Sequence, residues 1–428
     1  MTQFQIILTS IFGIFFILGV LMFANFGPNS STQSIGNVVI WGTVEDQLIS
    51  AVLNDLADRD ESFEKVEYIQ KDVENFDSVL AEAMSEGNGP DIFLLPQSKI
   101  LKHQGKILPI PFTTFPLRDF KDYFVEEGEL FLLDDGVLAL PFLLDPMVMY
   151  WNRDIFTRFG LANPPSYWDS FFAFAADVSE KDENRNILTN AVALGGYKNI
   201  SNAKDILAML ILQTGNKIVE RVDGKVDVVL NSSIANENNG PESALRFYTE
   251  FSNPIKETYS WNNSLPNSKN VFLAGDLAIY FGFASELDEL LLKNPNLNLD
   301  IAYMPQMSGL KNNITFGNMW ALAINKGSKN PAGAFRVMTA LIKGETLSMM
   351  SSYNKLPPVS RVLLSQKSSD AYQSIFIKSA LSARAFLDPN PDDSDYVFQE
   401  MVESVTSGRR KLSEAISKAG IELNEILK

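Results

Sequence analysis

The stretch LPFLLDPMVMYWNRDIF, residues 140–156, is apolar nearly throughout until Asn152. A run of this kind is typical of a core strand, yet Asp145 lies in its middle. Burying an unpaired carboxylate is costly or shifts its pKa, so a core strand does not normally carry one. Asp145 therefore needs a structural or a functional explanation.

The composition is that of a large globular protein. A chain of 428 residues is too long for one ordinary core, so two lobes or domains are expected. Hydrophobic residues make up 46% and charged residues 21%, which is a globular balance. The formal net charge of −16 disfavours nucleic acid or an anionic membrane surface as a partner, because like charges repel. We expect no nucleic-acid partner.

Two scarce residue types narrow the chemistry. The chain has no cysteine, which excludes disulfides, thiolate catalysis and thiolate metal sites. Its one histidine, His103, lies in the loop-like sequence KHQGK and is expected to be an ordinary surface residue. No G-x-S-x-G elbow, Walker loop or G-x-G-x-x-G fingerprint is present. We therefore predict no enzyme activity, no catalytic residue, no cofactor and no metal site.

The N-terminus carries an apolar run, FQIILTSIFGIFFILGVLMFANF, from residue 4 to residue 26. Its length favours a retained transmembrane helix of about 20 residues over a signal-peptide core of about 7–15. No Lys or Arg precedes the run, so the positive-inside cue is missing, and cleavage after Ala24 stays an alternative. Either way the remainder is exported, tethered to the cell membrane or, after cleavage, secreted or periplasmic. GPNSSTQSIG, residues 27–36, is typical of a flexible tether.

Strand-like and helix-like segments alternate beyond the tether. VVIW, KVEYIQ and GPDIFLLP have the composition of strands, and helical periodicity begins at Glu45 and in FDSVLAEAMSEG. Such alternation predicts an α/β fold with a largely parallel sheet covered on both faces. Ligands of such sheets collect beyond the carboxyl ends of the strands, which singles out residues 41–45 and 95–98. Residues 186–300 have the pattern of mixed helix with a polar middle.

Several segments resemble the extracellular solute-binding proteins of ATP-driven (ABC) sugar importers, of the family 1 type. The family has a strand with an early Trp, then Gly-Pro-Asp, Ala-Leu-Pro, Tyr-Asn-Lys-Asp-Leu-Phe and Pro-Pro-x-Thr-Trp-Asp-Glu. This chain has, in the same order, VIWGT, GPDIFLL, LALP, YWNRDIF and PPSYWDS, followed by AGDLAIYFG, LAINKGSKNPAGA and TSGRRKLSEAI. No single motif is specific, but their order from about Asn37 to the C-terminus is hard to obtain by chance.

The resemblance implies a two-lobed, periplasmic-binding-protein-like type II fold with a hinged interlobe cleft, preceded by an N-terminal transmembrane helix. Residues 1–26 are then the anchor or signal segment and residues 27–36 the tether. Lobe one comprises residues 37–142 plus 318–365, and lobe two comprises residues 143–316 plus 366–428. Asp145 falls beside the point where the chain first passes from lobe one to lobe two. This is a cleft-facing place where some sugar binders carry a carboxylate.

Sugar sites combine carboxylates and amides, which bind hydroxyls, with aromatic rings, which cover the C–H faces. From the motif positions we predict these ligand-binding residues: Trp41, Thr43, Glu45, Gln97, Asp145, Phe283, Asn318, Met319, Trp320, Tyr353 and Tyr396. Phe283 stands where oligosaccharide binders often have a tryptophan, which puts a long stacking platform in doubt. The rings of Trp151 and Trp168 are expected in the core.

Four of these assignments have a structural alternative. Asp145-Pro146 would form a hinge turn whose carboxylate caps nearby amides. Trp41 would pack between sheet and helix, and Thr43 and Glu45 would cap the first helix.

The function implied by the resemblance is capture of a carbohydrate or similar neutral solute in the cleft, with delivery to the transmembrane subunits of an ABC permease. The expected partners are this small-molecule ligand, with a sugar favoured, the permease and, through the N-terminal helix, the membrane; a monomer is expected. One alternative is a tethered sensor or adhesin on the same fold. Another is a secreted glycan-processing enzyme using Asp134-Asp135 or Glu126-Glu127, which is disfavoured because adjacent carboxylates are mostly surface charge. Oligosaccharide, monosaccharide, polyol and polyamine ligands stay open.

Overall fold

The structure is a computed structural model that describes residues 35–231, 239–309 and 313–428. The apolar run at residues 4–26, which we predict to span a membrane, and the tether up to residue 34 lie outside the described residues. Among the helices that are described, none is long and apolar enough to cross a membrane.

Strands and helices alternate along the chain, as the sequence predicts. The strands are β1 (Val38–Gly42), β2 (Val66–Gln70), β3 (Ile92–Pro96), β4 (Ile110–Pro111), β5 (Gly136–Val137), β6 (Leu140–Asn152), β7 (Glu180–Lys181), β8 (Ile187–Val192), β9 (Val219–Val222), β10 (Lys225–Val228), β11 (Leu277–Phe283), β12 (Leu299–Ala302), β13 (Thr315–Ile324) and β14 (Ala383–Arg384). The helices are α1 (Asp46–Arg59), α2 (Phe76–Ser85), α3 (Ile100–His103), α4 (Leu117–Tyr123), α5 (Arg153–Arg158), α6 (Phe171–Val178), α7 (Ala203–Gln213), α8 (Gly240–Thr249), α9 (Ser268–Ala274), α10 (Glu286–Lys293), α11 (Pro331–Leu341), α12 (Gly344–Asn354), α13 (Arg361–Leu364), α14 (Ala371–Ser382), α15 (Pro391–Thr406) and α16 (Leu412–Leu427). Short 3-10 turns are interspersed, among them Gln97–Lys99 and Glu126–Phe131.

One large sheet runs through the described part of the molecule, in the order β2-β1-β3-β13-β6-β11-β8-β7. We call β2, β1, β3, β13 and the first part of β6 the first half-sheet. The second half-sheet comprises the last part of β6 with β11, β8, β7 and β12. In the first half-sheet β1 is parallel to β2 and β3, whereas β13 runs antiparallel between β3 and β6. In the second, β8 and β11 are parallel to each other and β11 is antiparallel to β6.

The apolar stretch that begins at residue 140 forms β6, the strand that belongs to both half-sheets. β6 is 13 residues long and buried along its whole length. Residues 140–146 pair with β13, and residues 147–151 pair with β11. A strand covered on both faces is expected to be a near-continuous hydrophobic run, which explains its composition. We call the point where β6 and β13 pass between the half-sheets, residues 145–147 and 315–318, the crossing.

Helices cover the sheet through the apolar faces that periodicity predicts. α1 buries Leu48, Ile49, Val52, Leu53 and Leu56, which are the positions expected from their helical spacing. The predicted core positions of Trp151 and Trp168 are confirmed, since both rings are buried. The prediction of mixed helix for residues 186–300 is wrong in part, because β8, β9 and β10 lie in this range.

The prediction that His103 is a surface residue is wrong. Its ring is buried at the end of α3, edge-on to Phe93, with Nε2 3.1 Å from Oδ1 of Asp77. The physical reason is this carboxylate at the start of α2, which gives the imidazole a partner away from water. Burial alone would raise the pKa of Asp77, but hydrogen bonds from His103, Lys102 and Lys99 outweigh it and hold that pKa well below its usual range.

Candidate functional site

The carboxyl ends of the strands of both half-sheets meet at the crossing. In the first half-sheet β1, β3 and the first part of β6 run in the same direction, so residues 41–42, 96–97 and 145 lie at one edge. In the second half-sheet β8 and β11 run together, and Phe283 at the end of β11 pairs with Met147. The two edges therefore face each other across the crossing, which is where an α/β sheet offers space for a ligand.

Asp145 is buried, with 4% of its surface exposed, and its Oδ1 accepts a hydrogen bond of 3.0 Å from the backbone N–H of Ser285. Burial raises the pKa of Asp145 to about 7, although hydrogen bonds from Ser285 and the Ala284 amide favour the ionised form. The negative charge of the nearby Glu286 carboxylate also raises the pKa of Asp145. Asp145 thus joins β6 to the turn after β11, which is the contact that the capping alternative predicts.

Gln97, Asn318 and Met319 come together with Asp145 at the crossing. The Gln97 amide donates to Gly317 O and Asn318 Oδ1, both at 3.2 Å, and its Oε1 accepts from Met319 N at 2.8 Å. Asn318 is the strand partner of Asp145. The side chain of Met319 is buried on the other face of β13, and its ligand contact stays a prediction.

Trp41, Thr43 and Glu45 follow one another at the end of β1. The Trp41 ring is half-buried, and the Lys71 ammonium lies 3.9 Å from a ring centroid, so one face of the indole is covered by a cation. Its buried Nε1–H has no hydrogen-bond partner within the described residues. Thr43 is half-buried, and Glu45 is exposed and makes no side-chain cap on α1.

The remaining predicted aromatic residues are dispersed. Phe283 is largely buried at the end of β11, and Trp320 is half-buried in β13. Tyr353, at the end of α12, is 60% exposed, and Tyr396, in α15, is 64% exposed. Of this group, Phe283 is the residue whose backbone lies directly beside the crossing.

A wall of the second half-sheet was missed by the sequence analysis. A cavity of about 600 Å³ lies at the start of α7, and its lining includes Tyr197, Lys198, Asn202, Lys204, Asp205 and Asp395. The Tyr197 hydroxyl donates to Asp395 Oδ1 at 2.7 Å. The Gly195-Gly196-Tyr197 segment follows β8, so the carboxyl-end rule would have found it had β8 been recognised as a strand.

Buried contacts hold this wall in place. The Lys204 ammonium lies 2.5 Å from Asp388 Oδ2 and also donates to Ser394 Oγ at 2.6 Å. These bonds fix the start of α7 to the segment that leads into α15, which carries Asp395. Within the described ranges, no group of three His, Asp or Glu side chains is arranged to hold a metal ion.

A sequence model of the family described as bacterial extracellular solute-binding protein matches residues 46–374. The chain belongs to this family. Among curated relatives, binding proteins of Brucella abortus (strain 2308) and Brucella suis biovar 1 (strain 1330) are each 27% identical over 100 residues. That match covers 23% of this chain and 24% of theirs, so it spans about a quarter of the length of these relatives.

Solved structures extend the likeness to nearly the whole of this extracellular solute-binding protein. A cyclo/maltodextrin-binding protein complexed with maltotetraose matches at a TM-score of 0.73 and 16% identity, over 94% of this chain and 99% of the other. A solute-binding protein from Thermotoga lettingae bound with α-D-tagatose matches at a TM-score of 0.66 and 18% identity, over 92% of this chain and 100% of the other. A substrate-binding protein from Listeria monocytogenes in complex with cycloalternan matches at a TM-score of 0.67 and 14% identity, over 91% of this chain and 98% of the other. These matches show a mixed α/β periplasmic-binding-protein-like fold.

Family membership also bears on the enzyme alternative, because extracellular solute-binding proteins bind rather than transform their solutes. Asp134 and Asp135 are exposed, as the surface-charge interpretation predicts. Glu126 is also exposed and forms an ion pair with Arg384. Glu127 departs from that prediction, since it is buried against the crossing.

Proposed function

We propose that this solute-binding protein captures a carbohydrate or similar neutral solute in a cleft between the half-sheets and delivers it to an ABC import permease. The observation that carries the proposal is that the carboxyl ends of β1, β3, β8 and β11 face each other across the crossing. The three structural relatives, which hold maltotetraose, tagatose and cycloalternan, support a sugar as the solute.

The chemistry of the edges suits a polyol. Asp145 and Asp395 supply carboxylate oxygens, and the half-buried Trp41 supplies a ring. Such a combination of acceptors and an apolar face matches a molecule with hydroxyl groups and C–H faces.

The lobe assignment belongs to the same proposal. Lobe one would comprise residues 37–142 plus 318–365, and lobe two residues 143–316 plus 366–428. The change of strand partners along β6 after residue 146 supports a boundary near the first crossing. The protein would act as a monomer, held at the cell membrane by residues 1–26.

We expect a sugar panel to identify the solute by thermal shift. Maltotetraose, D-tagatose, cycloalternan and spermidine would be tested separately on the purified protein. A ligand that binds only the folded state stabilises it by about 2.7 kcal/mol at a hundredfold excess over Kd, which appears as a higher Tm. A shift with spermidine and none with any sugar or polyol would contradict the carbohydrate class.

Asp145→Asn should weaken binding of the sugar with the largest shift by roughly ten- to a hundredfold. A charge-assisted hydrogen bond to a hydroxyl contributes about 1.5–3 kcal/mol, and each 1.4 kcal/mol is a factor of ten. Stability without ligand should not fall at pH 8, because the asparagine oxygen can still accept from Ser285 while a buried charge is removed. Calorimetric titration and ligand-free melting measure the two effects.

The exposed Asp58 provides the matched control, since Asp58→Asn removes the same charge far from the crossing. Its affinity should equal that of the wild type. Unchanged affinity together with a lower melting temperature in Asp145→Asn would assign this carboxylate to capping alone.

A further inference from the structure

A second cavity, of about 630 Å³, lies behind the crossing. Its walls are formed by residues 126–134 on one side and by residues 212–221 and 384–387 on the other. None of the ligand-binding residues predicted from the sequence contributes to it. We call it the rear cavity, because it lies on the face of β13 opposite to Asn318 and Asp145.

Strand alternation establishes which face is which. Asn318 and its strand partner Asp145 point to the same side, where the Gln97 amide meets Asn318. Gly317, the residue before Asn318 in β13, faces the other side, and a Cβ there would collide with the carboxylate of Glu127. Glu127 and Asp145 therefore flank the crossing from opposite faces.

Glu127 is a buried carboxyl group without a partner. The side chain is 1% exposed, and neither carboxyl oxygen has a hydrogen-bond partner within the described residues. Arg384, which could neutralise it, instead forms an ion pair with Glu126 and donates to Ala383 O at 2.7 Å. The crossing thus holds a group that is costly to bury in its charged form.

Charged groups face Glu127 from β14, from β6 and from its own 3-10 turn. β14 contributes Arg384 and β6 contributes Asp145, whereas β13 contains no titratable residue. Glu126 and Glu129 lie on the same 3-10 turn as Glu127. Burial raises the pKa of Glu127 to about 8, with Asp145 acting in the same direction and Arg384 against it. Burial therefore favours the protonated form of this carboxyl group at neutral pH.

Hydrogen bonds and an ion pair link the two walls of the rear cavity. Arg221 of β9 donates to Leu132 O at 2.8 Å and to Gln104 Oε1 at 3.2 Å. The Arg384–Glu126 ion pair makes a second link, from β14 to the 3-10 turn. Both links join residues that the lobe assignment places on opposite sides of the crossing.

Under the proposed function the crossing strands are the axis of closure. If the front edges approach each other around a solute, the walls behind that axis would move apart. Water then reaches Glu127, and a hydrated carboxylate ionises near its ordinary pKa. We propose that Glu127 is a proton switch: it holds a proton while the rear walls stay linked and Glu127 stays buried, and it releases the proton when the front edges close on a solute. This coupling rests on the proposed function.

The sign of the pH dependence follows from the two states. In the state with linked rear walls the pKa of Glu127 is raised, so this state is favoured at low pH and loses that advantage as pH rises towards 8. The rear-open, solute-bound state gains accordingly. Solute affinity should therefore increase with pH between about 5 and 8, by at most about tenfold per pH unit for one released proton.

The test is titration calorimetry with maltotetraose as the probe, at pH 6, 7 and 8, in buffers of different ionisation enthalpy. The wild type should release more protons on binding at pH 7 than Glu127→Gln, which should keep only the smaller proton release and pH dependence that come from Asp145. Glu129→Gln is the matched control, because Glu129 lies on the same turn but is half-buried and ion-paired with Lys121. It should behave as the wild type does. If all three proteins bind maltotetraose and release the same number of protons, the switch is overturned.

A ligand-free measurement separates this proposal from the proposed function. Small-angle scattering of the wild type from pH 6 to pH 8.5 should show a radius of gyration that falls as the front-closed state gains population. Glu127→Gln should show a constant value across the same range. If maltotetraose does not bind, different scattering curves uphold the switch and reject only that solute. Identical, flat curves for both proteins would refute the switch itself.

Discussion

Lys204→Met should lower the free energy of unfolding by about 3–5 kcal/mol, which is the cost of leaving a buried charge without its partner. Asp388 is 3% exposed, and its Oδ2 lies 2.5 Å from the Lys204 ammonium. The remaining bonds to Asp388, from Ser394 Oγ and Asn390 N, do not neutralise the charge. Chemical denaturation at neutral pH measures the loss.

Two variants control this experiment. Adding Asp388→Asn to Lys204→Met should recover most of the lost stability, because the uncompensated charge is removed. Lys198→Met removes an exposed lysine whose ammonium is 3.9 Å from Glu403, and it should change stability by less than about 0.5 kcal/mol. If Lys204→Met costs no more than Lys198→Met, the buried pair does not hold α7 to the segment before α15.

Gln97→Met should cost about 2–4 kcal/mol of stability. The variant keeps the volume of the side chain but leaves Met319 N–H and Gly317 C=O without the side-chain partner they have at the buried crossing. Each buried group left unpaired costs about 1–3 kcal/mol. Thermal and denaturant unfolding of the ligand-free protein measure this effect.

Gln366→Met, on an exposed residue after α13, is the comparison variant and should be close to neutral. The outcome also distinguishes a structural role of Gln97 from a role in solute binding. A variant with unchanged stability and weakened sugar affinity would mean that the amide faces the solute and not β13.

Much of the fold was predictable because it depends on patterns that are local in sequence. The alternation of strands and helices, the helical face of α1 and the core positions of Trp151 and Trp168 all follow from periodicity and composition. β8 was missed because its sequence, ILTNAV, contains two polar residues and lies between turns. Missing β8 also hid Tyr197 and the wall that it shares with Asp395.

The site was less predictable, because burial and pairing are decided by residues distant in sequence. His103 is buried by a carboxylate from another helix, and the Trp41 ring is covered by a lysine after β2. Glu127 looks like surface charge beside Glu126, and only its fit against Gly317 reveals it as buried. Asp145 could be singled out from its apolar surroundings, but its acceptor role towards Ser285 depends on a turn far along the chain.

The position of β13 also affects how the protein is made. β13 lies between β3 and β6, yet it is synthesised long after both, since β3 ends at residue 96 and β13 begins at residue 315. At about 5–20 residues per second, translation takes roughly ten to forty seconds to cover that interval. Contacts so distant in sequence also form slowly once both partners exist. A nascent chain of this topology therefore lacks β13 in its sheet for most of its synthesis. A chain whose sheet is still incomplete can pass through a secretion channel.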